Sequence, residues 1–235
     1  MFSEVCETGV VSASSLRARV RSEMHQEIKE AARRRLAEEG ANLSLRAVAR
    51  DMDIVPSALY RYFPSRDALL TALIIDAYEG LGAAAEAAEA KVARDDPRGR
   101  WLAVCRAVRA WALEHPAEYG LLYGNPVPGY AAPPETVAPA SKVILLLVAV
   151  VGDAPGEPAS PRPLPGPVRA DLRRLIDEQA SDLPEECLDR VLLAWTHLFG
   201  QLNFEVFHRL DAMIGARAEY FEHHMALLAD LAGLP

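Results

Sequence analysis

The feature that most constrains this chain is a pair of short helical patterns with a very short connection between them. Residues 45–52 and 56–63 are each about two turns of helix long, and residues 53–55 connect them. Pro56 favours the first turn of the second helix because its ring fixes a helical φ. Ser44, directly before the first helix, is a residue type that caps helix N-termini. Helices this short need a partner on which to pack, so the pattern predicts a helix-turn-helix.

A long helical pattern precedes this pair and supplies the surface on which it can pack. Apolar residues recur about one turn apart from Ser15 to Glu39, and Gly40 ends the pattern as a left-handed C-cap would. Ser65 is the predicted cap of a further helix. The predicted core of the small domain consists of Leu45, Val48, Ile54, Leu59 and Phe63.

Helical periodicity continues through the rest of the sequence, and strand-like alternation of any length is absent from it. We therefore predict an all-α protein in which a three-helix helix-turn-helix domain is followed by a helical bundle. Eleven of the seventeen prolines lie in residues 125–167, around one apolar block. The predicted order is a mobile arm over 1–14, the helix-turn-helix domain over 15–66, and the bundle over 67–235. The bundle is predicted to contain a proline-rich surface loop over 152–167. Further helices are predicted near 65–94, 101–115, 168–180, 184–210 and 213–231.

The composition limits where such a chain functions. The longest apolar run, residues 143–151, is too short to span a bilayer, and the first residues lack the basic and apolar regions of a signal peptide. The three cysteines, Cys6, Cys105 and Cys187, are widely spaced and form no CxxC pair. This pattern is typical of reduced thiols and not of a disulfide scaffold or a zinc site. We therefore predict a cytoplasmic protein with no membrane partner.

The net charge of −8 conceals an asymmetry between the two predicted domains. Residues 15–66 contain eleven Lys and Arg against seven Asp and Glu, whereas residues 67–235 contain fourteen against twenty-four. Only the N-terminal domain is therefore suited to meet a polyanion. Arg17, Arg19 and Arg21 either contact nucleic acid or form an exposed helix face, and the sequence leaves both alternatives open.

The second short helix carries side chains that are suited to DNA. Arginine pairs with guanine N7 and O6, while alanine and serine suit a thymine methyl or a water-mediated contact. Tyrosine hydroxyls and arginines suit phosphate oxygens, and the amides at a helix N-terminus can also meet a phosphate. The predicted DNA-contacting residues are Ser44, Arg46, Ser57, Ala58, Tyr60, Arg61, Tyr62 and Arg66.

Residues 43–70, LSLRAVARDMDIVPSALYRYFPSRDALL, resemble the DNA-binding signature of the tetracycline-repressor (TetR) family of bacterial transcriptional regulators. The resemblance implies a helix-turn-helix over 44–63, with Arg46, Ser57, Ala58 and Arg61 facing bases and Tyr60, Tyr62 and Arg66 at phosphates. Two positions depart from the family pattern. Asp53 stands where glycine is usual in the turn, and Val55 stands where a serine or threonine often caps the recognition helix. Aspartate can still adopt the left-handed conformation, at some cost.

The C-terminal part resembles, more loosely, the WHG-type ligand domain of some TetR regulators. The matching stretches are residues 117–130, AEYGLLYGNPVPGY, and the WTHLFG run that starts at Trp195. This resemblance implies a homodimer in which the last two helices of each chain, here near 184–210 and 213–231, form a four-helix interface. It also implies a pocket for a small-molecule effector among the remaining helices.

Aromatic residues and a few polar side chains are the candidate walls of that pocket, although a plain core role is the alternative for each of them. Ligand pockets are mostly apolar with a few polar groups, and His115, His197 and Asn203 are the polar candidates. The predicted set is Trp101, Trp111, His115, Tyr119, Tyr123, Trp195, His197, Phe199, Asn203 and Phe207. We predict no metal site, because His197 and His208 share a helix face but lie three turns apart.

Sequence motifs of nucleophilic hydrolases, metalloproteases and nucleotide-binding proteins are missing, so we predict neither an enzyme nor a cofactor. The predicted function is a ligand-responsive transcriptional regulator, in the form of a repressor, that binds a palindromic operator in double-stranded DNA as a homodimer. The alternative is a small-molecule binding protein or enzyme whose helix-turn-helix is vestigial. The departures at Asp53 and Val55 motivate that alternative.

Overall fold

The computed structural model describes residues 13–40, 43–154, 163–178 and 183–234. Within these ranges all regular structure is helical, which confirms the predicted all-α fold class. A 3₁₀ turn, Pro134–Thr136, precedes the seventh helix. The helices are α1 (Ala13–Glu39), α2 (Leu45–Asp51), α3 (Pro56–Leu59), α4 (Arg66–Glu89), α5 (Pro97–Glu114), α6 (Pro116–Tyr123), α7 (Val137–Gly152), α8 (Gly166–Glu178), α9 (Glu185–Val206) and α10 (Arg217–Ala232).

The chain divides into two compact units, one up to Ala72 and the other from Leu73 onward. The division falls inside α4 and not at residue 66, because the start of this helix completes the core of the first unit: Leu69 and Leu70 are fully buried. The predicted mobile arm lies outside the described residues except for Ala13 and Ser14, which begin α1. Residues 155–162 of the predicted proline-rich loop also lie outside them.

The first unit is organised by the buried face of α1. Ile28, Ala31, Ala32 and Leu36 lie on this face at helical spacing and are almost completely buried. Gly40 ends the helix at φ +62°, and its amide donates to the Leu36 carbonyl at 2.9 Å, as the predicted left-handed cap requires. A bidentate ion pair between Arg35 and Asp51 joins α1 to the end of α2.

The connection between α2 and α3 is a tight turn around Asp53. Asp53 adopts φ +53°, the left-handed conformation expected for this position. Its amide donates to the Arg50 carbonyl at 3.1 Å, and the Ile54 amide donates to the Ala49 carbonyl at 3.0 Å. Of the five predicted core residues, Leu45, Val48, Leu59 and Phe63 are buried and Ile54 is half-buried.

One local prediction around this turn is wrong, and a second is right in position only: Ser44 is the N-cap residue of α2, but its side chain does not cap the helix. The recognition helix ends at Leu59, and residues 60–62 form turns, because the chain must reverse before Pro64. The Ser44 hydroxyl makes no capping hydrogen bond; its carbonyl instead accepts from the Ala47 and Val48 amides at 3.0 Å. Ser65 does cap the next helix, since its Oγ accepts from the Ala68 amide at 3.0 Å.

In the second unit α9 lies at the centre of the packing and contacts α5, α6, α7, α8 and α10. Its buried side includes Val191, Leu198 and Leu202. Polar side chains fix the neighbouring helices to backbone carbonyls. Tyr119 Oη on α6 donates to the Phe199 carbonyl at 2.9 Å, and Asn203 Nδ2 on α9 donates to the Tyr123 carbonyl at 2.8 Å.

A buried arginine connects three parts of the second unit. The Arg100 side chain on α5 is 1% exposed, and its Nε lies 2.5 Å from Glu89 Oε1 at the end of α4. Arg100 Nη1 lies 2.8 Å from Asp153 Oδ2, which follows α7. Burying a guanidinium is costly unless carboxylates compensate it, and these two carboxylates do so.

Helix bounds differ from the prediction where tertiary contacts override local pattern. α8 starts at Gly166, two residues before the predicted start. α9 ends at Val206 and α10 begins at Arg217, so both are shorter than the helices predicted over 184–210 and 213–231. A left-handed residue, His208 at φ +59°, follows α9 and explains why it does not continue to Leu210.

Two segments, Arg66–Glu89 and Pro134–Gly152, are long and apolar enough to cross a membrane when only length and hydropathy are considered. The most apolar windows of these segments are 50% and 33% buried inside the protein. Core helices of globular domains pass the same test, so these two segments are only a weak indication of a membrane span.

The backbone conformation of Asp53 leads to a stability prediction. Asp53→Gly is expected to raise the free energy of unfolding by about 0.5–1 kcal/mol. Glycine adopts positive φ without a Cβ clash, and this gain should exceed the loss that comes from the greater freedom of glycine in the unfolded chain. Asp53→Ala, which keeps the Cβ, is the matched control and should give no gain. Urea denaturation followed by circular dichroism measures both. A stabilisation by alanine equal to that by glycine would contradict the strained turn.

Candidate functional site

The residues predicted to contact DNA lie around the surface of the α2–α3 turn. Their positions follow from the packing of the two short helices. α2 contacts α1 and α3, the apolar sides of α2 and α3 are buried, and their opposite sides face outward. Ser44, Arg46, Ser57, Tyr60 and Arg61 are exposed, and Ala58, Tyr62 and Arg66 are half-buried.

A basic concave surface lies between α1 and the segment that follows α3. This surface, which we call the basic cleft, has a volume of about 530 Å³ and includes Arg17, Arg21 and Arg61. None of the three forms an ion pair within the described part of the chain, whereas Arg19 pairs with Glu23 at 2.8 Å. The sequence alone does not distinguish Arg17, Arg19 and Arg21 from one another, but the structure does. Arg17 and Arg21 are four residues apart on one face of α1 and lie beside Arg61 in the basic cleft, whereas Arg19 is not part of its lining.

Tyr62 is fixed at the edge of the basic cleft by an aromatic contact. The His25 ring on α1 packs edge-on against Tyr62 at 5.3 Å and against Phe63 at 5.0 Å. Burial of the imidazole, together with Arg21 and Lys29, lowers the pKa of His25. The ring is therefore neutral at pH 7 and acts as an apolar support for the recognition segment.

Arg66 has an internal role in addition to its predicted phosphate contact. Its Nε donates to the Leu43 carbonyl at 3.0 Å, and this bond holds the segment before α2 against the start of α4. The Arg66 side chain is 32% exposed, so part of it faces solvent. A role at phosphate remains a prediction for this residue.

The second unit contains a cavity of about 600 Å³. Ile74 and Tyr78 on α4, Tyr123 on α6, Ile144 on α7 and Trp195 on α9 are among its lining residues. Tyr123 and Trp195 belong to the set predicted for the ligand pocket, whereas the lining residues on α4 and α7 do not. Ile74 and Tyr78 lie one turn apart on α4, and this spacing is the signal that was available for them.

The other eight residues predicted for the pocket do not line this cavity, because most of them make structural contacts instead. Trp101 is almost fully buried and its Nε1 donates to the Met225 carbonyl at 3.2 Å. His115 stacks on Trp111 with ring centres 4.9 Å apart. Residues that pack in the core or at its edge are Trp101, Trp111, His115, Tyr119, Phe199 and Asn203, and the exposed ones are His197 and Phe207.

His197, which was predicted for the pocket, instead pairs with a second histidine at the surface. Its Nε2 lies 3.2 Å from His224 Nδ1, so α9 and α10 are joined at the surface by two imidazoles. Burial, His197 and His223 together lower the pKa of His224. Over the described ranges there is no cluster of three or more His, Cys, Asp or Glu side chains that is placed to hold a metal ion.

The chemistry of the cavity is neutral and aromatic. Its lining includes no Asp, Glu, Lys, Arg or His among the described residues. Burial raises the pKa of Tyr78 and of Tyr123, so both phenols remain protonated at pH 7. Trp195 Nε1 is buried and finds no hydrogen-bond acceptor in the part of the chain that the structure describes.

Comparison with known protein families identifies both units. A family profile described as "Bacterial regulatory proteins, tetR family" matches residues 28–73. A second profile, "Tetracyclin repressor-like, C-terminal domain", matches residues 101–228, which is more than half of the chain. The chain belongs to the TetR family. It is therefore a TetR-family transcriptional regulator with an N-terminal DNA-binding domain.

Individual relatives agree with this membership. The HTH-type transcriptional regulator Rv1816 of Mycobacterium tuberculosis (strain ATCC 25618 / H37Rv) is 36% identical over 197 residues, which cover 82% of this chain and 84% of the relative. The regulator Mb1846 of Mycobacterium bovis matches to the same extent. These names indicate transcriptional regulators and not enzymes.

Solved structures show the same TetR architecture. The crystal structure of SCO4313 superposes with a TM-score of 0.74 at 34% identity and covers 90% of this chain and 97% of that one. The TetR-family regulator PfmR from Thermus thermophilus has a TM-score of 0.50 at 23% identity and covers 88% and 98% of the two chains. At this lower identity PfmR shows that the fold is shared and nothing further.

Proposed function

We propose that this TetR-family regulator is a cytoplasmic repressor that binds a palindromic operator as a homodimer and responds to a small-molecule effector. The observation that carries the proposal is the exposed recognition segment, in which Arg61 lies in one basic cleft with Arg17 and Arg21. Three guanidiniums on one concave surface suit the phosphates and base edges of duplex DNA.

The roles within the DNA interface follow from side-chain chemistry and exposure. Arg61 and Ser57 are exposed on the side of the helix-turn-helix opposite its buried core, and a guanidinium there pairs with guanine in the major groove. Tyr60 is 45% exposed, and its hydroxyl suits a phosphate oxygen. Arg17 and Arg21 add charge that attracts the backbone of any sequence.

The vestigial alternative rests on the two departures from the family pattern, and the local geometry favours a working motif. Asp53 adopts the left-handed turn that glycine would otherwise provide. Val55, at the N-cap of α3, is 65% exposed and supplies no capping side chain, but Pro56 at the first helical position supports the same helix start. The motif therefore keeps its shape despite both substitutions.

Two substitutions test the division between base and phosphate contacts. Arg61→Ala should weaken binding to an operator selected by the wild-type protein from random DNA by about 1–3 kcal/mol, with a smaller loss on unrelated DNA. Tyr60→Phe should weaken both DNAs by the same factor, because a phosphate contact carries no sequence information. Fluorescence anisotropy at a fixed salt concentration measures all four affinities. Equal losses on the two DNAs for Arg61→Ala would refute the base-reading role.

An apolar surface on α9 and α10 supports the homodimer. Leu193 and Phe204 on α9 and Leu227 on α10 are 52%, 46% and 51% exposed. Gly200 lies between the first two, and a Cβ added there would meet no atom within 4 Å, so a partner helix can approach closely. The contact between His197 and His224 places the two exposed faces side by side. Exposed apolar faces of this kind are typical of protein interfaces.

The dimer prediction is tested with one substitution and a matched control. Leu227→Glu should raise the dimer dissociation constant by about 100-fold or more, because a symmetric interface would bury two carboxylates without counter-ions. Leu113→Glu makes the same change at an exposed leucine of α5 and should leave association unchanged. Sedimentation velocity over a range of concentrations gives both constants. Two variants that dimerise like the wild type would exclude this face as the interface.

Effector response requires a ligand that binds one conformation better than another. In the proposed mechanism α4 transmits the difference: it begins at Arg66 beside the DNA-binding motif, and its later residues Ile74 and Tyr78 line the cavity. A ligand that shifts these two side chains would favour a second conformation, in which the two recognition segments no longer match the spacing of the half-sites.

A further inference from the structure

We propose that His197 and His224 form one half of a site for a zinc-like divalent metal ion, and that a second copy of the chain supplies the other half. The inference rests on the homodimer of the proposed function, because the site is complete only where two copies meet. It adds a ligand to that interface, a transition-metal ion that bridges the two chains.

The geometry of the two imidazoles suits a shared metal ion. His197 Nε2 on α9 lies 3.2 Å from His224 Nδ1 on α10, and the ring centres are 5.3 Å apart. Two nitrogens bound to one tetrahedral zinc ion at roughly 2.0–2.1 Å lie about 3.3–3.4 Å from each other. A metal ion can therefore take the place of the hydrogen bond between the rings with little movement of either side chain.

Coordination by these two nitrogens requires no change in the charge of the pair. A neutral imidazole carries one proton, and the hydrogen bond between the rings places one proton on one of the two facing nitrogens. When both facing nitrogens bind a metal ion, that ring carries its proton on its other nitrogen, and no proton leaves the pair. Neutral imidazole is the form that binds metals, and zinc, copper and nickel are among the ions that suit it.

The position of His197 on α9 places the pair inside the proposed interface. Leu193, His197, Gly200 and Phe204 are exposed and follow one another at spacings of four, three and four residues, so they form one stripe along the helix. His197 lies near the middle of this stripe. In an interface with two-fold symmetry, residues near the axis meet the same residues of the other copy. A two-fold axis through the middle of the stripe therefore brings the two histidine pairs together.

One chain alone lacks the ligands for such a site. Structural zinc sites have four protein ligands, whereas the ranges that the structure describes contain no group of three or more His, Cys, Asp or Glu side chains placed to hold a metal ion. Spacing along α9 supplies no second ligand, but the fold brings one from α10. Two copies of the pair then supply four imidazole nitrogens, the number that a tetrahedral site needs.

The surroundings of the pair favour a transition metal. The Tyr220 ring packs on His224 with centres 4.1 Å apart and supports the imidazole without supplying a carboxylate. Glu222, the acidic residue nearest to His224 in the sequence, forms a bidentate ion pair with Arg106. Four imidazoles suit zinc and its neighbours, whereas magnesium and calcium prefer oxygen ligands. The excess of acidic residues over 67–235 favours the approach of any cation.

Isothermal titration calorimetry with Zn²⁺ alone, on protein freed of metal with EDTA, tests the site. We expect saturable binding of one Zn²⁺ per two chains and no binding of Mg²⁺. His197→Gln and His224→Gln should each weaken zinc binding by more than about tenfold, since even the outer-shell partners of metal ligands contribute that much. His223→Gln changes an exposed histidine beside His224 and should leave zinc binding unchanged.

Sedimentation velocity tests the bridge between the chains. With free Zn²⁺ at about ten times its dissociation constant, the dimer dissociation constant of the wild type should fall about tenfold relative to EDTA, because a ligand that binds only the dimer stabilises it by mass action. His197→Gln and His224→Gln should show no such fall, and circular dichroism establishes that both variants are folded.

One Zn²⁺ per chain, a dimer constant that Zn²⁺ does not change, or equal zinc binding by the wild type and His197→Gln would overturn the inference. Leu227→Glu in EDTA tests the interface separately. If that variant dissociates while Zn²⁺ leaves the wild type unchanged, the metal site fails and the proposed homodimer stands. If it dimerises like the wild type, the proposed interface fails and the metal site fails with it.

Discussion

The DNA-binding face depends on one backbone constraint, the left-handed turn at Asp53. The positive φ of this residue and the hydrogen bonds from the Asp53 and Ile54 amides reverse the chain within a few residues. Val48 and Leu59 can then be buried completely in one small core, and the exposed side of the α3 segment faces away from it. An L-residue carries a conformational cost at this position. The buried contacts on both sides of the turn offset that cost, which explains how a chain without the usual glycine keeps the motif.

In the second unit the corresponding constraint is the position of α9. Polar side chains on α6 and α9 donate to carbonyls of the opposite helix, through Tyr119 and Asn203, and so fix the distance between the two helices. This distance allows Tyr123 to stack on Phe199 and leaves space on the other side of Tyr123, toward α4 and α7. The cavity is therefore a consequence of helix positions that hydrogen bonds maintain, and its aromatic walls belong to the same packing that stabilises the unit.

Local patterns predicted much of the fold and of the DNA-binding face, but little of the cavity. The left-handed conformations of Gly40 and Asp53, the cap at Ser65 and four of the five core residues of the motif follow from residue type and spacing. Periodicity shows which face of a helix is apolar, but it does not show whether that face meets another helix or an empty space. Periodicity therefore does not distinguish Trp101 and Tyr119, which are structural, from Tyr123 and Trp195, which line the cavity. The position of Tyr78 at the cavity depends on the neighbours of α4, and the sequence of α4 alone does not indicate it.

In the proposed complex, two copies of the recognition segment read two half-sites on one face of the duplex. Hydroxyl-radical footprinting of the DNA upstream of the gene for this protein tests it most directly. We expect two protected segments of related, inverted sequence with centres about one helical turn apart, and the protection should disappear as the salt concentration rises. A single protected segment, or uniform protection along the fragment, would contradict it.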